Sequence, residues 1–422
     1  MSEVVDNELI FTSKLPVDWK FLTIDDIKST EKKAIISGPF GSNISSKFFT
    51  KNGIPVVRGN NLSLEIGIRF KDDGFVFISE DKAEELKTWA TKDDLIFTAV
   101  GTIGQVGILF GHEKFDKYII SNKQLRVTLN QSIAIPLFAY YWFASNTMIE
   151  QIQQRNTGSS VPLINLSVLK SLNIPIPSIT EQKAIASVLS SLDDKIDLLH
   201  RQNSTLEHMA ETLFRQWFVE ETQEDWKEVS ITKLFDVRDG THDSPKQKTV
   251  GKPLITSKHI VGNHLDFNSA YLISDEDFGK INQRSKVDKN DILISMIGTI
   301  GLIYLEQADA VDYAIKNVGL FKTSQNPEWV AYTYFWLKSY LGRQFLDEHI
   351  SGSTQEYVSL GSFRSITFKA PPKNRLLEFN QLAGGYLNKI NNNSNQIQTL
   401  EKLRDTMLPK LMSGEVRVEL VA

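Results

Sequence analysis

The stretch DLIFTAVGTIG, residues 94–104, returns almost unchanged as DILISMIGTIG at residues 291–301 of this 422-residue chain. A longer match keeps the same order, because NTGSSVPLINLSVLKSLNIPIP (156–177) is echoed by ISGSTQEYVSLGSFRSITFKAPP (350–372). Chance matches do not keep their order at a nearly constant offset, and an offset near 195 residues is too long for a solenoid repeat. The sequence therefore predicts a duplicated unit.

Each copy mixes strand-like and helix-like segments. Apolar runs at 54–57, 95–98 and 125–127 are bounded by Gly, Asn and Ser, which is typical of strands. Aromatic-rich segments at 135–153 and 328–346 follow, and we expect helices there whose aromatic rings fill the core.

Proline pairs mark the end of each domain: Pro175 and Pro177 in the first copy, Pro371 and Pro372 in the second. Proline fixes an extended backbone and blocks a helix at that point. The predicted fold class is α+β, with two tandem mixed α/β domains, each followed by a long α-helix. The expected bounds, in chain order, are 1–179 for the first domain, 180–222 for the first long helix, 223–375 for the second domain, 376–415 for the second long helix and 416–422 for the tail.

Both helical stretches carry seam residues at alternating four- and three-residue spacings, the signature of a coiled coil. The first seam comprises Ile185, Leu189, Leu192, Ile196, Leu199, Asn203, Leu206, Ala210, Leu213 and Trp217. The second comprises Phe379, Ala383, Tyr386, Ile390, Asn393, Ile397, Leu400, Met407 and Leu411, with Leu403 and Arg404 competing for the remaining position.

Each seam contains one asparagine, Asn203 in the first and Asn393 in the second. A buried Asn rejects slipped registers, because a shifted pairing leaves its amide unpaired in hydrocarbon. We expect the helices to pair antiparallel with these two residues together, which places Ile185 opposite Leu411. The alternative is that both Asn side chains are simply exposed.

Helices of some 40 residues are about 60 Å long at 1.5 Å per residue. Paired antiparallel, they would hold the two domains apart with approximate two-fold symmetry. That arrangement suits a protein that reads two half-sites on DNA.

Bulk composition is that of a soluble globular protein, with 41% hydrophobic and 23% charged residues. The absence of cysteine excludes disulfides and thiolate chemistry. The acidic N-terminus does not resemble a secretory signal, and no apolar run is long enough to span a membrane. We therefore expect a cytoplasmic protein without membrane association. The net charge of −4 argues weakly against nucleic-acid binding.

Motifs for catalysis are missing. The string Asn326-Pro327-Glu328-Trp329 lacks the second proline of an amino-methyltransferase loop. There is no G-x-G-x-x-G cofactor loop, no Walker sequence and no histidine spacing typical of a metal site. Glu-x-Lys pairs at Glu31/Lys33 and Glu80/Lys82 lack a convincing nuclease context. We expect a binding protein with no catalytic residues, no metal and no cofactor of its own.

Loops rich in Arg, Asn, Gln, Lys, Ser and Thr can offer hydrogen bonds to base edges. In the first copy the candidate DNA-contacting residues are Ser42, Asn43, Arg58, Asn60, Asn61, Asn122, Lys123, Gln124, Ser159 and Ser160. In the second copy they are Thr241, His242, Lys246, Ser257, Lys258, His259, Lys316, Asn317, Ser353 and Thr354. The matched loops differ, since RGNN (58–61) corresponds to TSKH (256–259), as two readers of different sequences require. The alternative is that such loops are only turns.

The GTIG phrase favours a tight turn, because two glycines three residues apart after a strand permit positive φ. Thr102 and Thr299 within it are candidate phosphate contacts.

The chain resembles the specificity subunit of Type I restriction–modification systems. The resemblance rests on LPVDW (15–19), SGPFGSNI (37–44), DLIFTAVGTIGQVG (94–107), the run from GSSVPLINL to DDKI (158–196), and LMSGEVRV (411–418). The second unit departs from it, because APPKNRLLEFNQLAG (370–384) replaces the pattern around Glu181-Gln182.

The resemblance implies two target-recognition domains that bind the halves of a split, asymmetric site in double-stranded DNA. It also implies that the paired helices contact two modification (methyltransferase) subunits, which carry S-adenosylmethionine. Restriction subunits that use ATP and Mg²⁺ would complete the assembly. The rival interpretations are a protein-only assembly scaffold and a stand-alone modification or nuclease protein.

Overall fold

The computed structural model describes residues 15–418. The N-terminal segment in which no secretory signal is expected, and the end of the predicted tail, lie outside the described residues. The chain divides into two compact units. Unit 1 contains residues up to 195 together with those from 400 onward, and unit 2 contains residues 196–399.

Unit 1 is built on two four-stranded sheets and a two-stranded sheet. Its strands, β1 to β10 in chain order, are Lys20–Thr23, Ile35–Ser37, Ile54–Val57, Val76–Ile78, Trp89–Ala90, Leu95–Thr98, Val106–Ile108, Tyr118–Ile120, Gln124–Val127 and Asn173–Ile176. One sheet has the antiparallel order β2-β9-β6-β7, and the other has the order β4-β3-β8-β5 with a parallel β3/β8 pair. The strands β1 and β10 pair antiparallel.

Unit 2 repeats this plan. Its strands, β11 to β21, are Glu228–Ser230, Val237–Asp239, Lys252–Ile255, Ile260–Val261, His264–Leu265, Leu272–Ile273, Ile292–Ser295, Ile303–Leu305, Ala314–Ile315, Val318–Phe321 and Thr367–Lys369. The order β12-β20-β17-β18 repeats β2-β9-β6-β7, and the parallel pair β13/β19 repeats β3/β8. The duplicated apolar runs LIFT and ILIS are the central strands β6 and β17, whose side chains are all buried. The predicted duplication is therefore a duplication of sheet topology.

Short helices cover the sheets, and most begin at a Ser or Asn whose side chain accepts a hydrogen bond from the first helical turn. The helices α1 to α11 are Ile24–Ile27, Glu80–Leu86, Pro136–Phe143, Asn146–Gln154, Leu166–Lys170, Ile179–Arg215, Asp275–Ser285, Val330–Lys338, Tyr340–His349, Leu360–Arg364 and Lys373–Ser413. The aromatic-rich helices α3 and α8 are almost wholly buried in the cores of units 1 and 2, as predicted.

The long helices α6 and α11 pair antiparallel, and this is clearest in unit 2. Asn393 Nδ2 donates to Asn203 Oδ1 at 2.8 Å, so the predicted asparagine pair is present and buried. Trp217 packs against Phe379 with ring centroids 6.3 Å apart. The two residue numbers have the same sum in both pairs, as antiparallel helices require.

Seam residues are buried or half-buried along both helices. In unit 2 the buried members are Ile196, Leu199, Asn203, Ala210, Phe379, Ala383, Ile390, Asn393 and Ile397, and the half-buried members are Leu206, Leu213, Trp217 and Tyr386. In unit 1, Ile185, Leu189 and Leu411 lie in one hydrophobic core, while Leu192, Leu400 and Met407 are half-buried.

Two details complete the description of the seam. Of the two candidates for the open position, Arg404 takes it, because its guanidinium donates to Asp193 Oδ1 at 3.0 Å in unit 1, and Leu403 is exposed. Near the end of the first helix, a π-helical turn at Gln216–Glu220 shifts the phase. Phe214 and Phe218, which lie off the heptad positions, are buried there.

Candidate nucleic-acid interface

Three of the predicted DNA-contacting loops of unit 1 line one groove of about 600 Å³. The loop after β3 contributes Arg58 and Asn60, the GTIG turn after β6 contributes Thr102, and the turn before β9 contributes Asn122, Lys123 and Gln124. They meet because their strands are neighbours in the two four-stranded sheets. The structure thus brings together six of the residues selected from the sequence.

The two remaining loops of unit 1 lie against this groove. In the SGPFGSN loop, Gly38 N donates to Gln124 O at 2.9 Å, and the position of a Cβ on Gly38 lies 1.8 Å from Ser121 O. Only glycine fits at such a close approach. Ser42 and Asn43 of this loop are exposed, as are Ser159 and Ser160, whose segment is joined to the GTIG turn by Gly101 N donating to Pro162 O at 2.9 Å.

The glycines of the GTIG turns have the predicted positive φ values. These are 101° and 97° for Gly101 and Gly104, and 80° and 84° for Gly298 and Gly301. The turns leave Thr102 and Thr299 exposed.

Unit 2 gathers its corresponding loops in the same way. Thr241 N donates to Ile315 O at 3.0 Å, and Lys316 N donates to Ile255 O at 2.8 Å, next to the TSKH turn. A bridge between Ile297 and Tyr357 holds the second GTIG turn beside the loop that carries the exposed Ser353 and Thr354.

A polar cluster occupies this part of unit 2. The His242 ring contacts Asn317 Oδ1 at 2.8 Å through Nδ1 and Asp239 Oδ2 at 2.9 Å through Nε2. Asp239 is buried and also accepts from Arg284. Lys316 Nζ donates to Ser244 Oγ at 2.5 Å. These contacts hold the loop side chains in place, with His242 itself exposed.

Two of the predicted contact residues have a different role. Asn61 and His259 are fully buried, and each bonds to the backbone of its own loop. Asn61 Oδ1 accepts from Arg58 N at 3.0 Å, and its Nδ2 donates to the carbonyl oxygens of Lys71 and Asp73. His259 Nδ1 accepts from Thr256 N at 2.8 Å, and burial lowers the pKa of the ring. We therefore assign both residues to shaping the loop. Burial of this kind cannot be read from a sequence alone.

Positive charge is available in both loop clusters. Within residues 15–418, Arg58, Lys123, Lys246 and Lys258 form no ion pair with a carboxylate. Ser257 is half-buried beside the exposed Lys258. Cations that are not neutralised by the protein are suited to phosphate or guanine.

In the described part of the chain, no group of His, Asp or Glu side chains has an arrangement that could hold a metal ion. None of the helices between residues 15 and 418 is both long and apolar enough to cross a membrane.

Comparison with known proteins adds the family. The model of the Type I restriction modification DNA specificity domain matches residues 16–208 and again 223–403. The Type I restriction enzyme MjaIX specificity subunit of Methanocaldococcus jannaschii is 25% identical over 437 residues, which cover 96% of this chain and 95% of that protein. The HindI specificity subunit of Haemophilus influenzae is 23% identical, with 80% of this chain and 89% of that protein covered.

A solved structure supports the fold. The crystal structure of a Type I restriction–modification S subunit from M. genitalium superposes with a TM-score of 0.58 at 16% identity and covers 97% of this chain. Two matches to one domain model, two units of one topology and a pair of long helices lead to one conclusion: the chain belongs to the Type I restriction–modification DNA specificity family.

Proposed function

We propose that this chain recognises a bipartite, asymmetric site in double-stranded DNA, and that each unit reads one half of the site. The observation that carries the proposal is the loop arrangement. In both units the corresponding loops gather at the same place on the duplicated topology, while their side chains differ. A shared scaffold with different loop chemistry is what two readers of different base sequences need.

The chemistry of these loops suits a duplex. Arg58 and Lys123 in unit 1, and Lys246, Lys258 and Lys316 in unit 2, would pair with phosphates or guanine. Amide and hydroxyl side chains beside them would complete the base contacts. The net charge of −4 is compatible with this proposal, because the relevant charge is that of one face rather than of the whole chain.

We further propose that the paired helices set the separation of the two half-sites and bind two methyltransferase subunits, with restriction subunits completing the assembly. S-adenosylmethionine, ATP and Mg²⁺ would then belong to those partners, and this chain would carry no catalysis. The helices also carry exposed apolar side chains, which partner binding would remove from water. In unit 2 these are Leu198, Met209, Leu377 and Leu382.

The test is selection from a random-sequence duplex pool by the chain together with its modification subunit, followed by sequencing of the retained DNA. A motif of two short halves with a fixed gap is the expected result. Recovery of no bipartite motif would contradict the proposal and would favour a protein-only scaffold. Methyl transfer by the purified chain alone would instead support a stand-alone enzyme.

The assignment of one half to each unit has its own test. Residues 15–178 are exchanged for the corresponding domain of another family member, and the selection is repeated. Only one half of the motif should change. A change in both halves would show that the units do not read independently.

A further inference from the structure

The groove of unit 1 has a polar floor that its duplicate lacks. The floor is formed by Thr98, Gln105 and Gln124, which all line the groove. Backbone pairing identifies the corresponding residues of unit 2. Thr98 N bonds Gln105 O at 3.0 Å and Ser295 N bonds Leu302 O at 2.9 Å.

The third floor position follows from strand register. In unit 1 Thr98 pairs with Gln124, and in unit 2 Ser295 pairs with Val318. Two amides in unit 1 therefore stand where unit 2 has leucine and valine. Leu302 and Val318 belong to an ordinary apolar cluster of unit 2.

One of the two amides is unsatisfied. Gln105 is bonded at both ends of its amide, because its Oε1 accepts from Thr98 Oγ1 at 2.9 Å and its Nε2 donates to Leu62 O at 3.2 Å. Gln124 is only 1% exposed, and its Oε1 accepts from Ser121 Oγ. Its Nε2 has no hydrogen-bond partner among residues 15–418, and neither has the buried Nε of Arg58 in the same groove.

Buried donors without partners are costly, and an apolar residue of similar size would remove the cost. Unit 2 shows that this topology accepts valine at the position of Gln124. The retained amide therefore indicates a partner that is supplied from outside the chain.

The Gln124 amide is covered in the unbound chain, because its Nε2 has almost no exposed surface. Gly59 lies over the two amides, and a Cβ added to it would be 3.5 Å from Gln105 Oε1 and 4.0 Å from Gln124 Nε2. The corresponding residue of unit 2 is Ser257, the first residue of the matching turn. An alanine at position 59 would make ordinary contacts, so it would cover the amides further without straining the turn.

We propose that Gln124 and Arg58 specify a guanine in the half-site read by unit 1; this inference rests on the proposed function. The two buried groups of the groove that lack a partner, Gln124 Nε2 and Arg58 Nε, are both donors, and the exposed ammonium of Lys123 lines the same groove. Guanine offers two acceptors, N7 and O6, in the major groove. Adenine offers one acceptor and one donor there, so it would leave one of these two buried donors facing a donor.

The experiment repeats the duplex selection with the chain bound to its modification subunit, using Gln124→Val and Gly59→Ala. Both variants should lose about tenfold or more of the preference for G at one position, in line with the discrimination of a good base contact. The other half of the motif should stay unchanged. Gly279→Ala, an exposed helix position of unit 2 with no atom near its added Cβ, is the matched control and should leave the motif as it was.

The outcomes separate this inference from the proposed function. A wild-type selection without a bipartite motif contradicts the proposed function. A bipartite motif in which both folded variants keep the wild-type base preference overturns the guanine assignment alone, as does a first half-site without a G·C pair. Thermal melting of each variant shows whether it is folded, and Gly59→Ala decides the matter if Gln124→Val unfolds.

Discussion

The asparagine pair of unit 2 is the residue-scale feature that most directly specifies how the helices pair. Asn203 and Asn393 bond to each other, and Asn203 Nδ2 also reaches Ser394 Oγ at 3.4 Å. We expect Asn393→Leu to lower the free energy of unfolding by about 1–3 kcal/mol, because the Asn203 carbonyl then loses its buried donor. Urea denaturation measures this change.

The double variant Asn203→Leu/Asn393→Leu should recover most of the lost stability, since no polar group is left unpaired. Asn392→Leu, one position away on the exposed face, serves as the control and should have little effect. If the double variant were less stable than the single one, the pair would be stabilising in its own right rather than specifying the register.

A second residue-scale prediction concerns Lys338 on α8 of unit 2. Burial lowers the pKa of Lys338 to about 8, and its amine also forms an ion pair with Glu207. The amine lies 5.3 Å from the centre of the Tyr334 ring. The unfolded chain, with a lysine pKa of about 10.4, binds the extra proton between these two pH values. Stability conferred by this residue therefore rises as the pH increases from about 8 to about 10.4.

The measurement is the difference in unfolding free energy between wild type and Lys338→Met as a function of pH. The free energy of unfolding of wild type should increase relative to that of the variant across that interval. Contributions from other titrating groups cancel in the difference. A difference that is independent of pH would show that the amine stays charged in the folded protein.

Which residues occupy a seam could be predicted from the sequence, because a 3.5-residue period needs no knowledge of the rest of the fold. The candidate DNA-contacting loops could also be chosen from the sequence, by their composition. Composition could not separate Asn60, which is exposed, from Asn61, which is fully buried. That distinction depends on long-range contacts with residues 71 and 73.

At the scale of elements, each long helix carries an amide side chain near its start that accepts a hydrogen bond from the first backbone N–H groups of an aromatic-rich helix. The residue that does so differs between the two units. In unit 1, Gln182 Oε1 accepts from Ile135 N at 2.8 Å at the start of α3. In unit 2, Asn380 Oδ1 accepts from Ala331 N at 3.3 Å at the start of α8. The sequence of unit 2 has unrelated residues at the positions of Glu181 and Gln182, because the amide lies deeper within α11 than Gln182 lies within α6.

Removing either amide should therefore weaken its own unit. We expect Gln182→Ala and Asn380→Ala each to cost about 1–3 kcal/mol, because a backbone N–H at a helix start loses its acceptor. Gln153→Ala, at an exposed position of α4, is the control. Hydrogen exchange at the amides of Ile135 and Ala331 would locate the effect, and unchanged exchange would contradict it.

Element boundaries show where local patterns stop being informative. The heptad positions predict the seam well as far as Ala210, after which Phe214 and Phe218, four residues apart and off those positions, are buried around the π-helical turn. The rings of Phe218 and Phe379 lie 4.9 Å apart at an angle of 90°. Packing of aromatic rings in the core overrides the heptad spacing at that point. A periodic rule applied to the sequence could not have identified Phe218 as a buried residue.

For the whole molecule, the proposed function predicts that helix length determines the gap between the half-sites. By the register of Asn203 and Asn393, residues 196–202 correspond to residues 394–400. Deleting both segments removes one heptad from each helix, about 10 Å at 1.5 Å per residue, and keeps the asparagines in register. Motif selection should then return a shorter gap between unchanged half-site bases. Recovery of the wild-type gap would contradict this role of the helices.

The division of the chain into units has a consequence for its synthesis. Unit 2 is one continuous segment, 196–399, whereas the core of unit 1 includes Leu408, Leu411 and Met412 from the very end of α11. During synthesis, unit 2 can therefore fold before the last residues of the unit 1 core have been added to the chain. Maturation would run against the usual order, in which the earliest residues fold first. A premature stop codon near position 400 would spare the later-made half and leave the earlier-made one without part of its interior.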